Sequence, residues 1–281
     1  MPKKLFIFCQ YLLPQVLLTR FAGWMAERTW PPLKNWLIQD FIRRYQVNLN
    51  LAVSDKLEAY PCFNAFFTRA LKASARPIDA KQDSLVNPVD GCLSQIGQLD
   101  QSKLLQAKGH WYSLKDLLGI SATESSPFEN GLFATFYLAP KDYHRVHLPF
   151  AGRLIQTTYI PGKLFSVNLL ATKKIPNLFA RNERLVCYFE TAAGPMAVIF
   201  IGAMLVGKIQ TVWGGVEYSR EIFHRHYSEE EELRFEKGAE IGRFLMGSSV
   251  IVLFGKDRIE WLPQLQATQE VKMGESLGNL K

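Results

Sequence analysis

Short runs of β-forming residues punctuated by glycine, beginning near residue 85, constrain the fold of this chain most strongly. These runs cover residues 132–138, 154–160, 184–190, 196–201, 205–212 and 249–254. Their lengths and their content of branched and aromatic residues are typical of strands. Few helical periods lie between them, so we expect a mainly antiparallel β core.

The first 60 residues have a different character and are expected to be helical. Pro31 and Pro32 divide this segment, and apolar residues recur at helical spacing from Trp36 to Tyr45. We also predict a short helix at residues 63–72 and a helical insertion at 111–118. The predicted fold class is therefore α+β, with N-terminal amphipathic helices in residues 1–60 and the β core in a main domain of residues 61–281.

Basic and aromatic residues concentrate at the N-terminus. Residues 1–50 contain seven lysines and arginines against two acidic residues, a net +5 out of +7 for the whole chain. Trp24, Trp30 and Trp36 stand among leucines and phenylalanines, which is typical of helices that lie in a bilayer interface and are attracted to anionic lipid. Helices packed on the protein's own core would show the same pattern, and both interpretations stay open.

Other roles for the N-terminal segment fit less well. A spanning helix needs about 20 apolar residues. Four residues interrupt the run here: Gln10, Pro14, Gln15 and Arg20. A signal peptide would need a small-residue cleavage site, which the sequence does not show convincingly. Binding of nucleic acid is not expected, because the basic residues sit among bulky aliphatics and form no polar stripe.

No metal site is predicted. The four cysteines are scattered without Cys-x-x-Cys spacing, which argues against a zinc ribbon and against a disulfide framework. His144 and His147 are three residues apart and could supply two zinc ligands. A zinc site usually needs a third ligand and supporting groups, which the spacing cannot provide.

A Gly247–Ser248 dipeptide stands directly before the apolar run 249–254. Because glycine has no Cβ, another group can approach the Gly247 carbonyl closely. The Ser248 hydroxyl lies one residue downstream and could attack that carbonyl if a base were supplied, converting the amide into an ester. Gly-Ser-Ser is also an ordinary turn composition, so the interpretation depends on finding the base.

Two other stretches could complete such a site. His144 and His147 follow the predicted strand 132–138, and Asp90 lies in the stretch Pro88-Val-Asp-Gly91. A hydroxyl, an imidazole and a carboxylate are the parts of a nucleophile–base–orienter relay. Pro-Val-Asp-Gly is also a good turn signal, so Asp90 could be purely structural.

Six motifs follow one another in a characteristic order. They are Phe66-Phe-Thr-Arg69, Pro88-Val-Asp-Gly91, Tyr143-His-Arg-Val-His-Leu-Pro149, Pro161-Gly-Lys-Leu-Phe-Ser-Val-Asn168, Val206-Gly-Lys-Ile209, and Phe235-Glu-Lys-Gly-Ala-Glu-Ile-Gly-Arg-Phe244 running into Met246-Gly-Ser-Ser249. Together they resemble phosphatidylserine decarboxylase of the bacterial and mitochondrial type, from roughly residue 50 to the C-terminus. One departure is Met246, where leucine is common, and methionine keeps the volume and apolarity of leucine.

The resemblance implies a proenzyme that cuts itself. Asp90, His147 and Ser248 would form the relay that cleaves the bond between Gly247 and Ser248. The products would be a β chain of residues 1–247 and an α chain of residues 248–281, held together as a heterodimer whose further dimerisation stays open. Ser248 would become a pyruvoyl group, the covalent cofactor.

The resemblance also implies a substrate and a place of action. The pyruvoyl carbonyl would form a Schiff base with the amine of phosphatidylserine and accept the electrons released as carbon dioxide leaves, which yields phosphatidylethanolamine. His144 is expected to handle the substrate carboxylate or a later proton transfer. Since the substrate is an anionic phospholipid, we expect a peripheral protein on the cytoplasmic side of the cell (inner) membrane.

Two alternatives from other classes remain. A serine hydrolase could use Ser248, His147 and Asp90 on a lipid ester, although the usual Gly-x-Ser-x-Gly elbow is absent. A non-enzymatic membrane adaptor could use the helices as an anchor and the β domain as a binding module. Neither alternative would be cleaved into two chains.

Overall fold

The computed structural model describes residues 3–107, 110–204, 208–217, 219–245 and 249–281. Its helices are α1 (Lys3–Leu12), α2 (Gln15–Ala26), α3 (Pro31–Tyr45), α4 (Phe63–Phe67), α5 (Leu114–Leu118), α6 (Ala122–Ser125), α7 (Leu169–Thr172) and α8 (Leu178–Arg181). Short 3-10 helices lie at Leu49–Leu51, Leu57–Ala59, Ala73–Ala75, Ser126–Phe128 and Glu229–Glu231.

The strands are short and follow one another from residue 84 onward. They are β1 (Ser84–Val86), β2 (Gly91–Gln98), β3 (Lys103–Ala107), β4 (His110–Ser113), β5 (Leu132–Tyr137), β6 (Arg145–His147), β7 (Gly152–Ile160), β8 (Arg184–Thr191), β9 (Gly194–Ile201), β10 (Ile209–Thr211), β11 (Gly215–Glu217), β12 (Phe223–His226), β13 (Arg234–Phe235), β14 (Glu240–Phe244), β15 (Ser249–Phe254), β16 (Ile259–Trp261), β17 (Gln269–Val271) and β18 (Ser276–Leu280).

The main sheet has nine strands. Eight of them run in the order β12-β7-β8-β9-β15-β5-β2-β17, and β13 also pairs with β7. Smaller sheets have the orders β1-β18-β16, β11-β10-β14-β6 and β3-β4. The pairings between these strands are antiparallel, which confirms the predicted α+β class with a mainly antiparallel core.

Strand β15 lies in the middle of the main sheet. All six of its residues are buried, and each is paired with β5 on one side and with β9 on the other. A strand covered on both faces needs apolar side chains at successive positions, which explains the uninterrupted run Val250–Phe254.

The predicted helix at 111–118 is wrong in its first half. Residues His110–Ser113 form β4 and pair with β3, and only Leu114–Leu118 is helical. Trp111 and Tyr112 favour a pleated surface, and the cross-strand pairing of Tyr112 with Leu104 decides their conformation. The predicted helix at 63–72 is shorter than expected and ends at Phe67. Part of the predicted strand 205–212 lies outside the described residues, and Ile209–Thr211 forms β10.

The N-terminal helices are present as predicted. Pro31 and Pro32 occupy the first turn of α3, where a missing amide hydrogen costs nothing. Among the described residues no single helix is long and apolar enough to cross a bilayer. Lys4–Leu12 and Gln15–Ala26 taken together are long and apolar enough, but these two helices meet at an angle of 88°.

Two buried glutamines attach this bent helix pair to the β domain. The Oε1 atom of Gln10 accepts a hydrogen bond from the Ser166 amide at 2.8 Å, and Oε1 of Gln15 accepts one from the Leu164 amide at 2.8 Å. The Nε2 atom of Gln15 donates to the Gln10 carbonyl at 2.6 Å. Buried amide groups need such partners, so two of the four residues that interrupt the apolar run, Gln10 and Gln15, are structural contacts to the β domain.

Candidate active site

One end of the main sheet collects the predicted site residues. The strand registers place Cys92, Tyr137, Ser249 and Ile201 side by side across β2, β5, β15 and β9. Asp90 directly precedes β2, and the loop that leads to β6 directly follows β5. The Pro-Val-Asp-Gly and His-x-x-His motifs therefore approach the same end of the sheet as the start of β15.

Gly91 allows the close approach of β2 to β5 at this end. A Cβ atom at position 91 would lie 2.3 Å from the carbonyl oxygen of Tyr137. Only glycine fits such a contact without displacing the backbone. The glycine of the Pro-Val-Asp-Gly motif thus positions its neighbour Asp90 against the end of β5.

The predicted cleavage residues Gly247 and Ser248, with Met246, lie outside the described residues. Their flanking residues are described. The Phe244 amide donates to the carbonyl oxygen of His144 at 3.1 Å, and the Leu245 amide donates to that of Lys208 at 3.0 Å. Ser249 begins β15 and is buried. The main chain that leads toward the predicted cleavage bond is therefore attached to His144.

Asp90 is buried and forms an ion pair with Arg76. The Nε atom of Arg76 donates to Oδ1 of Asp90 at 2.7 Å, and Nη2 of Arg76 donates to Oδ2. The Met273 amide also donates to Oδ1, at 2.9 Å. The carboxylate that the relay hypothesis assigned to His147 is thus bound to Arg76 and Met273 in this structure.

Asp90 and His147 are nevertheless connected through the main chain. The His147 amide donates to the carbonyl oxygen of Pro88 at 2.8 Å. The turn that carries Asp90 therefore supports the backbone of β6. Neither Arg76 nor Met273 belongs to any motif in the sequence, so their contacts to Asp90 could not have been predicted from local patterns.

The imidazole of His147 has two hydrogen-bond partners. Its Nδ1 atom lies 2.7 Å from the Gly238 carbonyl oxygen, and its Nε2 atom lies 3.2 Å from the Tyr143 hydroxyl. Because a carbonyl only accepts, we assign the proton to Nδ1. Burial lowers the pKa of His147, so the ring is neutral near pH 7. Its Nε2 atom then carries a basic lone pair, which accepts the Tyr143 hydrogen.

His144 is fully buried, and its ring centroid lies 4.1 Å from that of Phe67. Its Nδ1 atom donates to the carbonyl oxygen of Asp142 at 2.8 Å. Burial lowers the pKa of His144 to about 3. Within the described parts of the chain its Nε2 atom has no hydrogen-bond partner. His144 is therefore a neutral ring with an available lone pair.

The Phe66-Phe-Thr-Arg69 motif supports the histidine loop. Arg69 is buried, its guanidinium lies 5.5 Å above the Phe66 ring, and Nη2 donates to the Lys141 carbonyl at 3.1 Å. Burial lowers the pKa of Arg69 and raises that of Asp142 to about 6. Asp142, which belongs to none of the six motifs, accepts a hydrogen bond from the Ala139 amide at 2.7 Å.

The described residues hold no group of three or more His, Cys, Asp or Glu side chains that could bind a metal ion. The Nδ1 atoms of His144 and His147 both face main-chain carbonyl oxygens. Carbonyl oxygens hold these rings in one tautomer each, an arrangement suited to proton transfer at Nε2.

Comparison with known families identifies the class. Residues 63–279 match the sequence model of the phosphatidylserine decarboxylase family, and residues 5–46 match a second model described as PSD. The first match covers most of the chain and every described element of the candidate site. The chain belongs to the phosphatidylserine decarboxylase family and is a carboxy-lyase.

Full-length relatives agree with this assignment. The chain is 51% identical over 284 residues to the phosphatidylserine decarboxylase proenzyme of Methylococcus capsulatus, covering 100% of this chain and 98% of the relative. It is 49% identical over 282 residues to the proenzyme of Azotobacter vinelandii, covering 99% of both chains. It is 48% identical over 280 residues to that of Marinobacter nauticus, covering 99% of this chain and 98% of the relative.

Proposed function

We propose that this chain converts phosphatidylserine to phosphatidylethanolamine with a pyruvoyl group that it makes from its own Ser248. The observation that carries this proposal is the neutral His147 ring, whose Nδ1–H bond to Gly238 leaves Nε2 as a base. The relatives are named as proenzymes, which supports a precursor that is processed into chains.

In the first step His147 Nε2 takes the proton of the Ser248 hydroxyl. The oxygen attacks the Gly247 carbonyl carbon, and His147 returns the proton to the Ser248 nitrogen as the bond from that carbon to the nitrogen breaks. An ester with a free Ser248 amine results. Loss of the Ser248 α proton then expels the Gly247 carboxylate and leaves dehydroalanine. Addition of water and release of ammonia complete the pyruvoyl group, whose carbonyl supplies an electron sink for decarboxylation once it has bound the substrate amine.

The sheet explains how the two cleaved chains would stay together. Strand β15 of the proposed α chain lies between β5 and β9, with six residues paired on each side. Strand β17 pairs with β2, and β18 pairs with β1. Three strands of residues 248–281 are therefore bonded to strands of residues 1–247, and this pairing supports a heterodimer that stays together after cleavage.

His144 is proposed to act on the substrate. A neutral imidazole with a free Nε2 lone pair can accept a hydrogen bond or a proton, and its low pKa keeps this lone pair available. Asp90 is proposed as a positioning residue. Its ion pair with Arg76 holds the Pro88–Gly91 turn in place. The Pro88 carbonyl of this turn accepts a hydrogen bond from the His147 amide.

The N-terminal helices are proposed to dock on an anionic membrane surface, on the cytoplasmic side of the cell membrane. Their outer faces expose large apolar side chains: Leu5, Phe8, Tyr11, Leu12, Leu13, Val16, Leu17, Phe21, Trp24, Trp30 and Trp36. A surface of this kind in a basic segment favours interfacial binding. The helices also pack inward, with Ala26 and Ile38 in a buried cluster, so interfacial docking by the outer face is compatible with packing of the inner face on the protein.

Self-cleavage is the test of the proposal. The intact mass of purified protein is expected to show two chains, with the smaller one starting at position 248 and carrying a keto group in place of its amine. Ser248→Ala and His147→Asn proteins are expected to stay uncut, and neither should form phosphatidylethanolamine. A folded wild-type protein that remains one chain, or a small chain that begins with unmodified serine, would contradict the proposal.

A further inference from the structure

A pocket of about 370 Å³ lies where α1 and α2 meet the β domain. The helix side is lined by Tyr11, Leu13 and Val16, among other residues. The opposite side contributes Lys163, Phe165 and Arg181. The pocket thus joins the bent helix pair to the Pro161–Asn168 motif, and the proposed chemistry does not use it.

The charge of the pocket is one-sided. Residues 161–182 contain Lys163, Lys173, Lys174 and Arg181 and no acidic residue. Among the described residues that line the pocket there is no carboxylate. In the described parts of the chain, Lys163 and Arg181 take part in no ion pair. Two unmatched cations beside each other favour an anionic ligand.

Arg181 is held in a fixed orientation. Its guanidinium carbon lies 4.7 Å from the ring centroid of Phe165 and 5.7 Å from that of Tyr11. Stacking on aromatic rings keeps the planar group in place. One N–H group, at Nη1, donates to the Pro176 carbonyl at 3.4 Å, and the other N–H groups on its edge can donate to a ligand. The planar fork of arginine matches the oxygens of phosphate groups, and lysine adds a point charge.

Apolar side chains border the pocket on its outer side. Leu13, Val16 and Leu17 are exposed by 41%, 48% and 65%. They continue directly into the apolar outer faces of α1 and α2. A ligand with an anionic group in the pocket would therefore have an apolar surface for attached hydrocarbon, which is the chemistry of a phospholipid.

The pocket is connected to the candidate active site by buried hydrogen bonds. Gln10 and Gln15 hold the 164–166 backbone from the helix side. Asn182 bonds the Phe165 backbone, accepting from its amide at 3.1 Å and donating to its carbonyl at 2.8 Å. The same Asn182 amide group donates to the Gly202 carbonyl at 2.8 Å, directly after Ile201, the β9 residue that pairs with Ser249.

We propose that this pocket binds the phosphate of an anionic phospholipid of the membrane, with Lys163 and Arg181 as its ligands. The lipid's acyl chains lie along the apolar faces of α1 and α2. Binding would hold the Pro161–Asn168 segment, and through Asn182 the nearby sheet end, at the membrane surface. The proposal rests on the membrane docking described above and adds its lipid site.

The test compares vesicle binding of full-length proteins at low salt. Vesicles of phosphatidylcholine, with and without phosphatidylglycerol, supply a lipid phosphate that the reaction does not consume. A Lys163→Gln/Arg181→Gln protein removes both proposed ligands. A Lys256→Gln/Lys281→Gln protein removes the same charge beyond the far end of β15, where both lysines are exposed near Asp257. The three lysines are exposed and Arg181 is partly exposed, and circular dichroism checks that each protein is folded.

Loss of the pocket ligands is expected to weaken binding to phosphatidylglycerol vesicles by about 25-fold, at about fivefold for each cation. The control pair should weaken it less than about twofold, since its charges lie away from the membrane. Arg181→Lys should give an intermediate loss, because charge is kept and the planar fork is not. Inorganic phosphate carries the same group without acyl chains, so at equal ionic strength it should weaken vesicle binding somewhat more than chloride does, without releasing the protein.

Other outcomes separate the two proposals. If both double substitutions weaken vesicle binding equally, the effect comes from the net charge of the protein. That result would overturn the lipid site and leave the docking proposal intact. Complete release of the protein by inorganic phosphate, at an ionic strength at which chloride leaves it bound, would overturn the lipid as the occupant. A wild-type protein that binds neither kind of vesicle would overturn the docking proposal together with the pocket.

Discussion

The Nδ1 atom of His147 lies 2.7 Å from the carbonyl oxygen of Gly238, 91 residues further along the chain. This contact determines the tautomer of the ring and leaves Nε2 unprotonated. Gly238 has a backbone φ of +78°, and a Cβ there would meet the Ile78 side chain at 2.7 Å. The glycine of the Phe235–Phe244 motif therefore brings its carbonyl to the histidine.

Tyr143→Phe tests which contact controls His147. The variant loses the donor to Nε2 but keeps the Nδ1–Gly238 bond, so self-cleavage should proceed. The free energy of unfolding should fall by about 1 kcal/mol, the usual value of one hydrogen bond. Gel analysis of cleavage and urea unfolding measure the two effects. A Tyr143→Phe protein that folds and stays uncut would instead give the hydroxyl a direct part in processing.

Arg76→Met is expected to destabilise the protein by about 3–5 kcal/mol, because it leaves the buried Asp90 carboxylate without its cation. Glu270→Gln provides the control, since it breaks the exposed pair with Lys141 and should cost less than about 1 kcal/mol. Urea unfolding compares the two. Equal losses would show that the Arg76–Asp90 pair is screened like a surface pair.

The buried His144 ring makes stability depend on pH. Its pKa is about 3 in the folded protein and 6.5 in the reference state, so below pH 6.5 the unfolded chain binds the extra proton. The contribution of the neutral His144 ring to the free energy of unfolding is fully present above pH 6.5 and is lost as the pH falls toward 3. Relative to His144→Gln, the wild type should lose about 2 kcal/mol between pH 7 and pH 5. If urea unfolding gives the same change in the free energy of unfolding between pH 7 and pH 5 for both proteins, a neutral buried His144 is excluded.

Gln15→Met removes the acceptor of the buried Leu164 amide while keeping a similar side-chain volume. An unsatisfied buried amide costs about 1–3 kcal/mol, and the loss should be local. Hydrogen exchange at Leu164 is expected to become at least about tenfold faster. Gln98→Met is the control, because the Gln98 side chain makes an exposed hydrogen bond to the Asn130 carbonyl. This variant should leave the exchange rate of the Leu164 amide unchanged. Unchanged exchange in Gln15→Met would show that the glutamine does not hold the segment.

The apolar outer face of α1 and α2 can be tested by Leu12→Ser and Leu17→Ser. These leucines are exposed by 67% and 65%, so their loss should hardly change the free energy of unfolding. Each substitution should weaken vesicle binding by about tenfold, the effect of withdrawing one leucine from the bilayer interface. Val53→Ser is the matched control, also 65% exposed but outside the three N-terminal helices. If Val53→Ser weakens vesicle binding as much as Leu12→Ser and Leu17→Ser do, the helix faces are not the docking surface.

The β core and the N-terminal helices could be predicted because their signals are local. The run Val250–Phe254 is apolar at every position, and strand β15 is buried throughout. Residues His110–Ser113 show where local signals fail. Their register with β3 decided between a strand and a helix, and that pairing is a tertiary contact.

The candidate site also has a part that local sequence signals predict and a part that depends on tertiary contacts. The ordered motifs identified His144, His147 and Asp90, and the strand registers bring the segments that carry them toward one end of the main sheet. The partners of those residues were not predictable. Arg76 binds Asp90 from 14 positions away, and the roles of Gly238 and Asp142 appear only when the loops are packed.

The sequence by itself determined the α+β class, the positions of the main-sheet strands β5, β7, β8, β9 and β15, and the residue types that the proposed chemistry needs. Periodicity and motif order depend on neighbours along the chain, so they can be recognised without coordinates. Only the tertiary structure decided that Asp90 bonds Arg76, that Gly238 sets the His147 tautomer, and that Gln10 and Gln15 join the helices to the β domain. Buried charges and amides take whichever partner packing brings within reach, and that choice is made across the fold.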